Sequence, residues 1–92
     1  MRQQNDQKAL VKKAVVASHL EFFSLSDSPS APLTQDAVNL HFETCSNCFA
    51  QFQHLEALGF SPQTRYERRI MARVSILEHR PNVGLHELLE ST

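Results

Sequence analysis

The string His41-Phe42-Glu43-Thr44-Cys45-Ser46-Asn47-Cys48 gathers both cysteines of the chain and one of its five histidines into eight residues. Soft donors spaced this closely are a ligand signature. A Cys-x2-Cys turn lets two thiolates face one cavity, and an imidazole about one helical turn away can add a third donor to a tetrahedral zinc ion. The spacing also restricts the backbone. On one unbroken helix His41 and Cys48 would lie roughly 10 Å apart along the axis, whereas the donors of one zinc lie within about 4 Å of each other. A metal site therefore predicts a break between Glu43 and Asn47, giving two helices with the ligands at their joint. Without a metal, a continuous helix over 35–58 is the alternative. On it Cys45 and Cys48 share an apolar arc with Val38, Phe42, Phe49, Phe52 and Leu55, and act as small core residues. A redox dithiol is a third reading, but no strand precedes Cys45 as a thioredoxin-like site needs.

The rest of the chain reads as helix. From Asp6 to about Leu25, Leu10, Val11, Ala14, Val15, Phe22 and Leu25 fall on one broad side at 3.6 residues per turn, with Lys12 and Lys13 off it. His19 lies at the edge of that side, near Val15 and Phe22. It is the first choice for a fourth metal ligand; the alternative is a partly buried histidine bonded elsewhere. His54, His79, His86, Glu43 or a water are weaker candidates. The turn formers of Ser26-Asp27-Ser28-Pro29-Ser30-Ala31-Pro32 end this helix. Thr34 is placed to cap the next one, which begins near Gln35, and Gly59 closes the helical pattern that follows. Thr64-Arg65-Tyr66-Glu67 has the capping-box pattern and opens a helix to about His79. Tyr66, Ile70, Val74 and Leu77 form its apolar stripe, flanked by Arg65, Arg69 and Arg73. Pro81 stops it, and Gly84-Leu85-His86-Glu87-Leu88-Leu89 makes a short last helix. The expected class is all-α: one small domain of four or five short helices, with a bundle core at about 6–58 and partner-binding helices at about 64–90.

Size and charge limit the functions open to it. At 92 residues the hydrophobic core alone would be thin, and a metal staple would add folding free energy. No apolar run nears the roughly 18 residues of a membrane span, and the polar start Met1-Arg2-Gln3-Gln4-Asn5-Asp6 does not read as a secretory signal. A cytoplasmic protein with reduced cysteines is the expectation. With two glycines in all there is no phosphate-cradling loop, and neither His-Glu-x-x-His nor Gly-x-Ser-x-Gly occurs. The chain is not expected to be an enzyme. A net charge of −1 gives no general attraction to nucleic acid, yet five of the six arginines lie between Arg65 and Arg80. The ridge Arg65, Arg68, Arg69 and Arg73 is either a solvated face, a grip for an acidic protein surface, or a phosphate contact.

Residues 38–59, centred on His41, Cys45 and Cys48, resemble the zinc-binding anti-sigma domain of bacteria. In that family a His-x3-Cys-x2-Cys joins two helices of a small bundle, and a further His or Cys from the first helix completes the zinc. The resemblance implies zinc held by His41, Cys45, Cys48 and His19, and a flexibly attached following helix that clamps an alternative sigma factor. It covers about a third of the chain closely. In family members the upstream ligand usually stands near the head of helix one, whereas His19 sits deep in a longer helix. Residues 72–89 are also similar to the opening two helices of winged-helix DNA-binding domains, but the chain reaches Thr92 without a recognition helix. The leading expectation is thus an anti-sigma-like regulator whose helix 65–77 contacts a sigma factor through Arg65, Tyr66, Arg69, Ile70, Arg73, Val74 and Leu77. A metal-free helical interaction module and a small nucleic-acid-binding regulator are the alternatives, and the sequence does not fix the oligomeric state.

Overall fold

The computed structural model describes residues 3–22, 33–80 and 82–90, with the side chains of the first stretch described over 7–20. Five helices follow in order: α1 Gln3–Phe22, α2 Gln35–Thr44, α3 Ser46–Ala57, α4 Arg65–His79 and α5 Leu85–Glu90. No strand occurs among the described residues, and the chain is an all-α bundle. The expected turn at 26–32, Leu25, the side chain of Phe22, and Pro81 lie outside the described residues.

The helix ends follow from their capping residues. Thr34 accepts a hydrogen bond from the Ala37 amide through its hydroxyl at 3.2 Å, which satisfies one of the free donors at the start of α2. At the start of α4 the capping box is complete. The Glu67 amide donates to the Thr64 hydroxyl at 3.1 Å, and the Thr64 amide donates back to the Glu67 carboxylate at 3.0 Å. α3 ends in a left-handed turn with Gly59 at φ 65 and Phe60 at φ 61. The Phe60 amide bonds the Leu55 carbonyl at 2.8 Å and the Gly59 amide bonds the Glu56 carbonyl at 2.9 Å, the paired bonds of a Schellman motif.

α1 is the axis of the bundle and packs on each of the other four helices. The main core cluster joins Val11, Ala14 and Val15 of α1 to Cys48, Phe52 and Leu55 of α3 and to Ile70 and Val74 of α4. A second cluster joins Ala17 to Leu77, Val83, Leu85 and Leu88. Val16, Ala17 and Ser18 are buried as well, so α1 is enclosed on more sides than the single apolar face expected from its sequence. The reason is its central position, since a helix surrounded by four others has little solvated surface left.

The helices over 64–90, expected to bind a partner, also contribute to the packing. α4 and α5 complete the core, with Ile70, Val74, Leu77, Leu85 and Leu88 in the two clusters.

Candidate metal centre

Between α2 and α3 a single residue leaves the helical conformation. Cys45, at φ −123 and ψ 100, is both the last cap of α2 and the first cap of α3. The break falls inside the interval that a metal site requires, and no glycine or proline produces it. Thr44 just before it turns its hydroxyl back to the carbonyls of Leu40 and His41, at 3.3 and 3.1 Å, a bonding pattern that bends helices. The Cys45 amide still bonds the His41 carbonyl at 2.8 Å. The joint thus keeps α2 intact to its end and re-aims the chain within one residue.

This geometry brings four donors together. His19 in the last turn of α1, His41 in the last turn of α2, Cys45 at the joint and Cys48 in the first turn of α3 offer ligand atoms that all lie within 4.8 Å of one another. His19 Nδ1 is 3.0 Å from His41 Nε2 and 3.0 Å from Cys48 Sγ. His41 Nε2 is 3.2 Å from Cys48 Sγ, and Cys45 Sγ is 3.6 Å from His19 Nδ1. A tetrahedron with metal–nitrogen and metal–sulfur bonds of about 2.0–2.3 Å has edges of about 3.3–3.8 Å, so small adjustments accommodate an ion. The two imidazoles meet edge to face, with centroids 5.0 Å apart and planes at 71°. They aim different ring nitrogens, Nδ1 of His19 and Nε2 of His41, at the same point. The donor set is therefore able to hold a metal ion.

The electrostatics differ between the two kinds of donor. Burial, and secondarily the neighbouring His19, lowers the pKa of His41, which keeps the ring neutral, the form that ligates. Burial, a hydrogen bond with Cys45 and the like charge of that thiol push Cys48 up to about 12. A thiol so placed stays protonated at neutral pH, and a metal cation binding its sulfur would displace that proton to solvent. Both cysteines are free, Cys48 buried and Cys45 half-buried. Cys48 is at once donor and core residue, packed beside Phe52 and Val15 in the main cluster. The core reading of that position is realised, and its sulfur also faces the group of donors able to hold an ion.

No family model, curated protein or solved structure matches the chain. Among the described residues no helix is long and apolar enough to cross a membrane.

The four expected ligands His19, His41, Cys45 and Cys48 converge, but the expected partner surface does not hold together. Ile70, Val74 and Leu77 are core residues, and Arg73 is fully buried. Its Nε donates to the Leu88 carbonyl at 3.0 Å and its Nη1 to the Ser18 hydroxyl. The physical reason is angular. At 100° per residue Arg73 stands about 60° from Ile70 and about 40° from Leu77, within the arc that α4 buries. Arg65 and Arg68 are exposed, while Tyr66 and Arg69 are half-buried, so the ridge is shorter than the sequence suggests by one arginine.

A polar cluster that sequence reasoning missed lies between α3 and α4. Buried Glu67 receives the Gln63 amide at 2.7 Å besides that of Thr64, and its second oxygen meets His54 Nε2 at 2.9 Å. The Gln63 amide, then the Thr64 amide and the His54 imidazole, hold this carboxyl below its ordinary pKa against the opposing effect of burial. The capping-box pattern signals the local half of this cluster; the His54 half depends on how α3 and α4 meet.

Proposed function

We propose that this chain is a zinc-stapled helical protein-binding domain, an anti-sigma-like regulator that occludes a sigma factor. One observation supports the metal in this reading: two imidazoles and two thiols from three helices and their joint converge with nearly tetrahedral separations. Two soft sulfur donors with two imidazoles suit zinc among the common ions. When bound, zinc would supply a rigid cross-link between α1 and the α2–α3 joint, adding stability to a domain of 92 residues. Four protein donors leave no open coordination position, the arrangement of a structural site, and the reading includes no catalytic step.

The partner contact in this reading falls on the outward side of α4. Arg65 and Arg68 are exposed there and Arg69 half-exposed, which suits an acidic protein surface. Ile70, Val74 and Leu77 take no part in this contact, because their side chains are committed to the core.

The test has two parts. Elemental mass spectrometry on protein purified without chelator or metal-affinity tag should give about one zinc per chain, lost in Cys45→Ser and in Cys48→Ser. The zinc-loaded protein should then retain a sigma factor in a pull-down, and Arg65→Glu with Arg68→Glu should weaken that retention. Absence of zinc from the parent protein overturns the metal; retention of zinc with no sigma factor bound overturns the partner.

A further inference from the structure

We propose that the metal, on the reading just given, serves as the latch of one particular arm: α2 is held against the bundle by His41 on the ion, and metal removal frees α2 while the rest of the fold persists. The unequal anchoring of the helices carries this. α3 places Cys48, Phe52 and Leu55 in the main cluster, and α4 places Ile70 and Val74 there and Leu77 in the second. α2 has one buried residue in its ten, Val38, which belongs to neither cluster. Phe42 is only partly buried where it packs against the main cluster and meets Phe52 with ring centroids 5.8 Å apart, and Leu40 is 61% exposed.

The donors are distributed to match. His19 comes from α1 and Cys48 from α3, both on helices with other strong attachments, and Cys45 is the hinge itself. His41 is the one donor borne by α2. Helices shorter than about 12–15 residues are marginal in water on their own, so α2 depends on tertiary attachment more than α1 or α4 does. Leu33, ahead of the Thr34 cap, packs on the second cluster and keeps the start of the arm near the bundle. The part that comes free is the middle and end, residues 38–45. Its release uncovers Val38 and Phe42 together with the emptied donors, so metal loading decides whether this apolar surface is hidden or presented.

Hydrogen exchange read by mass spectrometry on the full chain, under reducing conditions, tests the latch with zinc as the probe metal. Zinc occupancy is first measured by elemental analysis, then exchange is compared in zinc-loaded and chelated protein. The expected result is at least about a tenfold loss of protection over amides 38–45 on chelation, with amides 11–17 and 70–77 keeping theirs. At saturating zinc, His41→Ala should leave 38–45 as unprotected as in the chelated parent. Zinc bound with unchanged exchange over 38–45 after chelation overturns the latch and leaves the metal site standing. So does a uniform loss through α1 and α4, which would make the metal a global staple. Wild-type protection of 38–45 in His41→Ala overturns it too, and failure to bind zinc at all removes latch and metal site together.

Discussion

Replacing Arg73 by alanine separates a buried structural arginine from a surface contact. The side chain is fully buried between α1 and α5, with Nε on the Leu88 carbonyl and Nη1 on the Ser18 hydroxyl. Hydrogen bonds from a charged donor contribute about 1.5–3 kcal/mol each, and a buried acceptor left without a donor costs about 1–3 kcal/mol. The truncation also opens a cavity where the side chain lies between Ser18 of α1 and Leu88 of α5. Since these costs overlap, a loss of about 3–5 kcal/mol is expected, the range for breaking a buried charged network. A domain of 92 residues has roughly 5–14 kcal/mol in total, so the variant should be folded but much weakened. For this size class each kcal/mol moves Tm by about 4–8 °C, and the drop should therefore exceed about 12 °C. Thermal and urea unfolding followed by circular dichroism, at saturating zinc and with thiols reduced, measures it. Arg68→Ala is the control, because an exposed arginine should change stability by less than about 0.5 kcal/mol. If Arg73→Ala unfolds within about 0.5 kcal/mol of the parent, the burial and its bonds do not describe the protein, and Arg73 returns to the partner surface.

Two further outcomes concern the α3–α4 connection. The carboxyl of Glu67 is held below its ordinary pKa of 4.5 by the Gln63 and Thr64 amides and by His54, so its contribution is complete above that value and is lost as pH falls below it. Glu67→Gln should therefore lower Tm at pH 7, and its difference from the parent should narrow as pH is taken from about 5 to about 3; a gap that stays constant across that range refutes the assignment. Gly59 sits at φ 65 with open space where a Cβ would stand, so Gly59→Ala costs backbone strain alone, about 1–2 kcal/mol in urea unfolding, and a neutral or stabilising result would mean the Schellman turn is not formed.

How much could be read from the sequence depended on whether a feature was local. The caps Thr34 and Thr64 with Glu67 are decided by residues within four positions, and both appear where the pattern places them. The break at Cys45 is legible for a different reason. His41 and Cys48, seven residues apart, cannot meet at one ion on a straight helix, so the ligand hypothesis by itself demanded an interruption there, and Cys45 supplies it. His19 was reachable only through the assumption that α1 lies against that joint, and no spacing rule fixes that. Arg73 shows the opposite failure. Its angle on α4 was available in the sequence, but reading arginines as a ridge took residue type over position, and the wheel places it among Ile70, Val74 and Leu77. His54 meeting Glu67 belongs to neither case, because it depends on how the turn at Gly59 and Phe60 sends α4 past α3.

α1 is the element whose role the sequence least reveals, and its polar residues account for how it is seated. Val11, Ala14, Val15, Val16 and Ala17 are all buried, and with apolar residues round so much of its circumference, hydrophobic burial alone leaves its rotation about its own axis weakly specified. Ser18 and His19 remove that freedom. They are consecutive, so their side chains leave the axis about 100° apart: Ser18 accepts from Arg73 in the interior, and His19 turns its Nδ1 to Cys48 and His41. A rotation of α1 that kept its apolar residues buried would break both connections together. The contacts to Cys48 and His41 on one side and to the buried arginine of α4 on the other thus start from one turn of the central helix, and together they fix how α1 is rotated against α3 and α4.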